Sequence, residues 1–237
     1  MDSGFLLIDK PVDWTSYNVV GYIRNIVRKA TAHKKIRVGH AGTLDPFATG
    51  LLIVGVGREA TKRIDEFKNM KKEYIATLKL GYISDTYDSE GTIKQFSNLA
   101  IKQSEKKLTK EEIDKVSKSF LGKQKQIPPM FSAKKIGGER LYTLARKGIE
   151  IERKPNKIEV YNLEFLEFVG QLLSVKCQVS TGTYIRSLAH DIGQKLSCGA
   201  YCQELRRTKI GEYSVDDAIL PKELTIENYQ SNLFNNI

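Results

Sequence analysis

The chain has 237 residues, 41% of them hydrophobic, which suits one large domain, or one domain with insertions, and excludes disorder as the whole description. No apolar stretch approaches the roughly 18 to 20 residues that span a bilayer, and Phe5-Leu6-Leu7-Ile8 is too short for the core of a signal peptide, so a cytoplasmic protein is expected. Lys and Arg number 38 against 28 Asp and Glu, a net +10, and from Glu212 to Ile237 one Lys stands against five acids, net −4, which leaves +14 on residues 1–211. Such a basic body suits a polyanion, RNA or DNA, held by phosphate contacts and counterion release, although a merely soluble cationic protein has the same balance. Three cysteines (Cys177, Cys198, Cys202) cannot pair completely and form no CxxC, and there are three histidines, so neither a disulfide framework nor a structural zinc site is encouraged.

In chain order, Gly4–Ile8 reads as a short strand. Thr15-Ser16 then supplies N-cap chemistry for an amphipathic helix to about Lys29, with Val19, Val20, Ile23, Ile26 and Val27 on one face. Thr31 to Gly50 is polar, basic and rich in glycine, and reads as a loop from His40 to Gly50 pinned against the buried strand 51–56. Residues 72–80 alternate as a half-buried strand does, and a polar loop through Asp85, Asp88 and Gly91 follows. Thr109 and Glu112 form a capping box opening a helix whose Ile113, Val116, Phe120 and Leu121 share a face until Gly122.

Residues 123–157 then change character, with Pro128-Pro129, Gly137-Gly138 and, over 134–157, eight Lys and Arg against three Glu, net +5. This reads as an inserted basic arm with a short helix near 141–146. Runs around 158–168 and 172–179 form an antiparallel pair turning at Gly170, a helix spans 184–196, and a strand-like run follows from Ala200 to Arg206. Strands and helices mix without regular βαβ alternation, which argues for an α+β fold.

Three constellations compete for the chemistry. Gly55-Val56-Gly57-Arg58-Glu59-Ala60 imitates a dinucleotide fingerprint, but no second strand ends in an acid about 20 residues on, and a plain tight turn explains it better. Cys198 and Cys202 lie four apart, yet His33, His40 and His190 offer no matching spacing for a metal. The third is Gly39-His40-Ala41-Gly42-Thr43-Leu44-Asp45-Pro46-Phe47-Ala48-Thr49-Gly50, which delivers an imidazole and a carboxylate beside a buried strand. Spacing alone leaves open whether Asp45 is catalytic or merely makes a turn ahead of Pro46.

That third stretch resembles the catalytic motif of the TruB family of pseudouridine synthases, which act on uridine 55 of tRNA. Further motifs extend the likeness along nearly the whole chain. They are Leu6 to Pro11, Lys72-Glu73-Tyr74 through Gly81, the acidic loop Ser84 to Gly91, Gln126 to Ala133 with Leu141-Tyr142 and Ala145 to Gly148, Ser180 to Leu188, and Leu205 to Thr208. The resemblance implies that Asp45 is the nucleophile, that Arg186 keeps it ionised, and that Tyr74 stacks on the target base with its hydroxyl near the reacting sugar. His40 would occupy the space vacated by the flipped base and Leu205 would wall the pocket. Lys10, Asp85 and Tyr184 belong to motifs that bind substrate, and Lys134, Lys135, Arg146 and Lys147 would grip phosphates from the thumb, about 123–152. For those lysines a merely solvated face is an equal alternative.

The expectation is thus a mixed, largely antiparallel sheet flanked by helices, metal-free and cofactor-free, probing the T-arm of tRNA as a monomer. Residues 1–211 would form the catalytic domain. Residues 212–237 would be a short acidic extension, with the PUA-type domain of larger relatives absent or vestigial. A non-catalytic RNA-binding or tRNA-remodelling module explains the charge but leaves Asp45, Tyr74 and Arg186 without a reason, and a nucleoside hydrolase has no use for the basic arm.

Overall fold

A computed structural model of the chain describes residues 3–31, 35–96, 109–132 and 134–235. In chain order these form β1 (Gly4–Lys10), α1 (Ser16–Thr31), β2 (Val38–Ala41), β3 (Thr49–Val56), α2 (Gly57–Lys68), β4 (Lys72–Leu80), β5 (Tyr82–Ser84), β6 (Ile93–Gln95) and α3 (Lys110–Ser119). They continue with β7 (Gly122–Gln126), β8 (Lys135–Ile136), β9 (Glu139–Arg140), α4 (Leu141–Arg146), β10 (Asn156–Val169), β11 (Leu172–Val179), α5 (Ile185–Lys195), β12 (Ala200–Ile210) and β13 (Tyr213–Ser214). The chain divides into two compact units, one of residues 1–74 and 205–237, the other of residues 75–204.

In the first unit β3 is central: β1 pairs with it antiparallel from Gly4↔Val56 to Lys10↔Gly50, β2 pairs antiparallel at His40↔Val54, and β12 joins parallel at Arg207↔Gly50. Both faces of these strands are covered. Leu6, Ile8, Leu52 and Val54 meet Val19, Ile23 and Val27 of α1, while Phe5, Leu51 and Ile53 meet Ile64 and Phe67 of α2. Two-sided burial is why 51–56 is a continuous apolar run instead of an alternating one. Gly50 has φ +102°, and a Cβ there would lie 2.3 Å from the Arg207 carbonyl oxygen, so only glycine lets β3 and β12 approach this closely.

Residues 212–235 belong to this first unit: Phe5 and Phe234 pair antiparallel, Ile8 pairs with Ile219, and Leu224 and Tyr229 complete the α1-side core. The Gly55–Ala60 turn is packed by the chain itself. The Ser3 hydroxyl donates to the Val56 carbonyl and accepts from the Ala60 amide, at 3.0 Å each.

In the second unit β4, β11, β10 and β7 lie side by side, with β10 and β11 antiparallel about Gly170 and β7 antiparallel to the start of β10. Its buried apolar residues include Ala76, Leu78, Leu163, Val175, Leu188 and Ile192. The Thr109–Glu112 capping box is present, and α4 spans the expected residues. Two details correct the sequence expectations. His40 lies in a strand, β2, not in a loop, and Leu121 is 45% exposed, because α3 ends at Ser119 with Phe120 as its cap and Leu121 lies past the helix face that Ile113 shares.

Candidate active site

Within the first unit the stretch carrying Asp45 is held from several sides. The Ser16 hydroxyl, at the start of α1, accepts from the Leu44 amide (2.9 Å) and donates to the Leu44 carbonyl (3.2 Å). The Pro46 carbonyl accepts from the Asp13 amide (3.0 Å) and from Nζ of Lys10 (3.1 Å), whose ammonium also donates to the carbonyls of Pro11 and Trp14. Asp13 reaches this position with φ +64°, left-handed backbone that aspartate adopts more readily than most side chains. The Asp45 carbonyl accepts from the Ala48 amide at 3.2 Å, closing a turn around Pro46.

Arg207 closes the same stretch at its two ends. It is 1% exposed, and donates from Nη2 to the Gly42 carbonyl (3.0 Å) and from Nε to the Leu51 carbonyl (2.7 Å). Strand alternation sends its neighbour Arg206 the other way, to a two-point ion pair with Asp9 at 3.0 and 2.7 Å. His40 stands one strand residue before Ala41. Its Nδ1 is buried without a partner among the described residues, and burial, with the positive charges of Arg207 and Lys68, holds its pKa below the ordinary value, so the imidazole is neutral at pH 7. Tyr74 and Leu205 are both largely buried in this unit.

In the second unit Arg186, one residue into α5, is 3% exposed and held on both terminal nitrogens. Nη1 donates to the Thr86 carbonyl and to Oδ2 of Asp88, each at 3.0 Å, and Nη2 donates to the Phe131 carbonyl at 2.7 Å. Asp88 is itself fixed through Oδ1 by the Thr86 hydroxyl (2.5 Å) and the Glu90 amide (3.0 Å). The root of the basic arm is tied to the same helix. Gln126 accepts from the Tyr184 amide (2.8 Å) and donates to its carbonyl (3.0 Å), and Ser187 donates to the Ile127 carbonyl.

Comparison with known proteins adds the family. The family model described as TruB family pseudouridylate synthase (N terminal domain) matches residues 28–185, and one described as tRNA pseudouridylate synthase B C-terminal domain matches residues 186–232. The chain belongs to the TruB family. It is 47% identical over 92% of its length to the tRNA pseudouridine synthase B of Parabacteroides distasonis, covering 90% of that protein. To the tRNA pseudouridine synthase B of Clostridium tetani it is 46% identical over 96% of its length, covering 74% of that chain. A solved Cbf5–Nop10–Gar1 complex matches with a TM-score of 0.67 at 29% identity over 95% of this chain, which spans about half of the solved one (54%). The fold is therefore the α+β pseudouridine synthase fold expected, and the chain is an isomerase.

Against this TruB frame the sequence-assigned residues divide. Lys10, expected to bind substrate, is 0% exposed and donates to the carbonyls of Pro11, Trp14 and Pro46, which ties it to the Asp45 turn. Asp85 is exposed and accepts from the Thr92 amide; the carboxylate that grips Arg186 is Asp88, three residues on. Tyr184 sits at the N-cap of α5, within the Gln126 clasp. Lys134, expected to grip phosphate, is bonded to Oδ1 of Asn156 (2.6 Å) and to the Lys154 carbonyl, across the base of the arm. Arg146 is exposed above the Tyr142 ring, Lys147 is exposed and 4.0 Å from Glu139, and for Lys135 the structure describes the backbone, in β8. Arg207, Asp88 and Gln126 lie inside the family-like motifs and Ser16 in the cap of α1, but residue type and spacing do not single them out.

Proposed function

We propose that this TruB-family isomerase converts uridine to pseudouridine at position 55 in the T-loop of tRNA, flipping the base from its stack and using Asp45 as the covalent nucleophile. The relatives at 47% and 46% identity are named as tRNA enzymes, and the body is basic. The observation that carries the reading is the fixing of the Asp45 stretch by a buried lysine, a buried arginine and a helix-start hydroxyl. Burying two cations is costly, and a simple turn ahead of proline has no need of them.

In the reaction Asp45 bonds to the substrate and the N1–C1′ bond breaks with its electron pair on the base. The held uracil turns, C5 bonds to C1′ in place of N1, the bond to Asp45 breaks with its electron pair returning to the carboxylate, and the C5 proton leaves as N1 gains one, so atoms and charge balance. Arg186, fixed by Asp88 and Phe131, is assigned the task of keeping the nucleophile ionised, and Tyr74 that of packing on the base. A neutral His40 suits insertion into a base stack, which a charged imidazolium would disfavour. Arg146 and Lys147 grip phosphates, shape reading of the T-arm supplies selectivity, and the enzyme acts as a cytoplasmic monomer.

Carbodiimide primer-extension mapping of an unmodified tRNA transcript after incubation with the enzyme tests this. The expected result is one new stop, one nucleotide 3′ of position 55, lost when the uridine at 55 is replaced by cytidine. Modification elsewhere, or none, would overturn the assignment.

A further inference from the structure

We propose that one flank of α1, together with the residues entering β2, is a second RNA-binding surface that holds the tRNA backbone outside the reacting loop; the inference rests on the tRNA reading above. Tyr17, Gly21, Arg24 and Arg28 are spaced four, three and four apart and so lie in one narrow arc of the helix. Tyr17 is 72% exposed, the barest large apolar side chain among the described residues, which leaves its ring open to stack on a base. Gly21 has open space where a Cβ would stand, so a strand of nucleic acid can approach the helix backbone there. Arg24 donates to the Val38 carbonyl (3.4 Å), which places this flank beside β2, where Lys35 and Arg37 are exposed.

The charge is uncompensated where it could have been balanced. Helix α1 holds three cations and no acid, and among the described residues Arg24, Arg28, Lys35 and Arg37 have no carboxylate at ion-pair distance. Helix α2, on the other face of the same sheet, holds four cations and three acids, with Lys62, Arg63 and Lys68 each paired i,i+3 to Glu59, Glu66 and Asp65. The acidic tail reaches α1 from its inner side, through Leu224 and Tyr229, and its Glu223 accepts from the Leu220 amide.

Position decides for RNA. Helix α1 begins at Ser16, bonded to Leu44, so the flank starts beside the Asp45 turn and extends about 17 Å along the helix from Tyr17 to Arg28. An aromatic at the near end and arginines beyond match how RNA is held, by stacking and phosphate contacts.

Binding of an unmodified full-length tRNA transcript, measured from 50 to 300 mM KCl for the wild type and the Arg28→Glu/Arg37→Glu double variant, tests the surface. Both side chains are exposed, so folding, followed by thermal melting, should be unchanged. We expect Kd to rise at least tenfold at 0.1 M salt. The log K against log salt slope should become shallower by about 1.5, at roughly 0.7 to 0.9 per phosphate lost, and kcat at saturating tRNA should stay within twofold. Tyr17→Ala should weaken binding about fivefold or more with an unchanged slope, since stacking is worth about 1 kcal/mol or more per base. Wild-type Kd and slope in the double variant would overturn the proposal and leave the flank to solvent or an acidic protein. A wild type that binds but modifies no tRNA is a failure of the functional reading, and is seen separately by mapping the product.

Discussion

Arg186 meets the Thr86–Asp88 turn and the arm's Phe131 with the two ends of one guanidinium, so the acidic loop and the arm share a single fixed cation. Asp88→Asn removes the charge of that clasp while keeping its shape. Charge-assisted bonds contribute about 1.5 to 3 kcal/mol, so kcat should fall about 10- to 100-fold with tRNA affinity within threefold, whereas Asp85→Asn should leave both unchanged. Steady-state kinetics on the two variants checks this. Arg207→Met should lower kcat about tenfold or more at constant Kd, because both ends of the Asp45 stretch lose their donor, and equal losses in kcat and Kd would contradict a positioning role. The sequence motif containing Asp85, Asp88 and Glu90 cannot say which acid faces inward. In the folded chain it is Asp88, 2% exposed and next to Tyr87 at φ +65°, that faces Arg186. Likewise two adjacent arginines look equivalent until strand alternation buries Arg207 and leaves Arg206 with Asp9.

At the scale of elements, Lys72 caps α2 from the first residue of β4, donating to the carbonyls of Lys68 (2.7 Å) and Met70 (2.6 Å), and its aliphatic stem lies against Gly42. Burial, then the charge of Arg207, brings its pKa down to about 8 from 10.5. Below pH 8 both folded and unfolded chains hold the proton and the folded state bears the full burial penalty. Between pH 8 and 10.5 the unfolded chain binds more protons, so stability rises with pH, and the penalty, on the order of 3 kcal/mol, is relieved. Denaturant unfolding from pH 7 to 10 should therefore show Lys72→Met losing stability relative to wild type as pH rises; a constant difference would refute the buried ammonium. Elements with regular periodicity, such as β4, α5 and the capped α3, were legible in the sequence because one face or one cap determines them. Strand β2 was not, since four residues between glycine and polar neighbours carry no period, and only pairing with β3 makes them a strand.

For the whole molecule, the acidic tail was legible as charge but not as structure. Three of its buried residues, Val215, Leu224 and Tyr229, are separated by short turns with no helical or strand repeat, yet they seal the β1 and β3 core. Leu224→Ala should cost about 2 to 4 kcal/mol in unfolding experiments, and a chain truncated after Gly211 should fail to fold cooperatively. A truncated chain with wild-type stability and reduced tRNA affinity would instead make the tail an RNA-binding appendage. The +14 body was legible as a polyanion surface, but the division of its cations was not. Lys10, Lys72 and Arg207 are bonded inside the protein and Lys134 across the base of the arm, while Arg28, Arg37, Arg146 and Lys147 remain outside.

The most direct test of the central claim is tritium release from tRNA labelled at C5 of uridine, comparing wild type and Asp45→Asn at matched tRNA binding. The account predicts one equivalent released per tRNA by the wild type and none by the variant. Equal release from both would remove Asp45 from the reaction, and no release from a wild type that binds tRNA would leave an RNA-binding module in place of the isomerase.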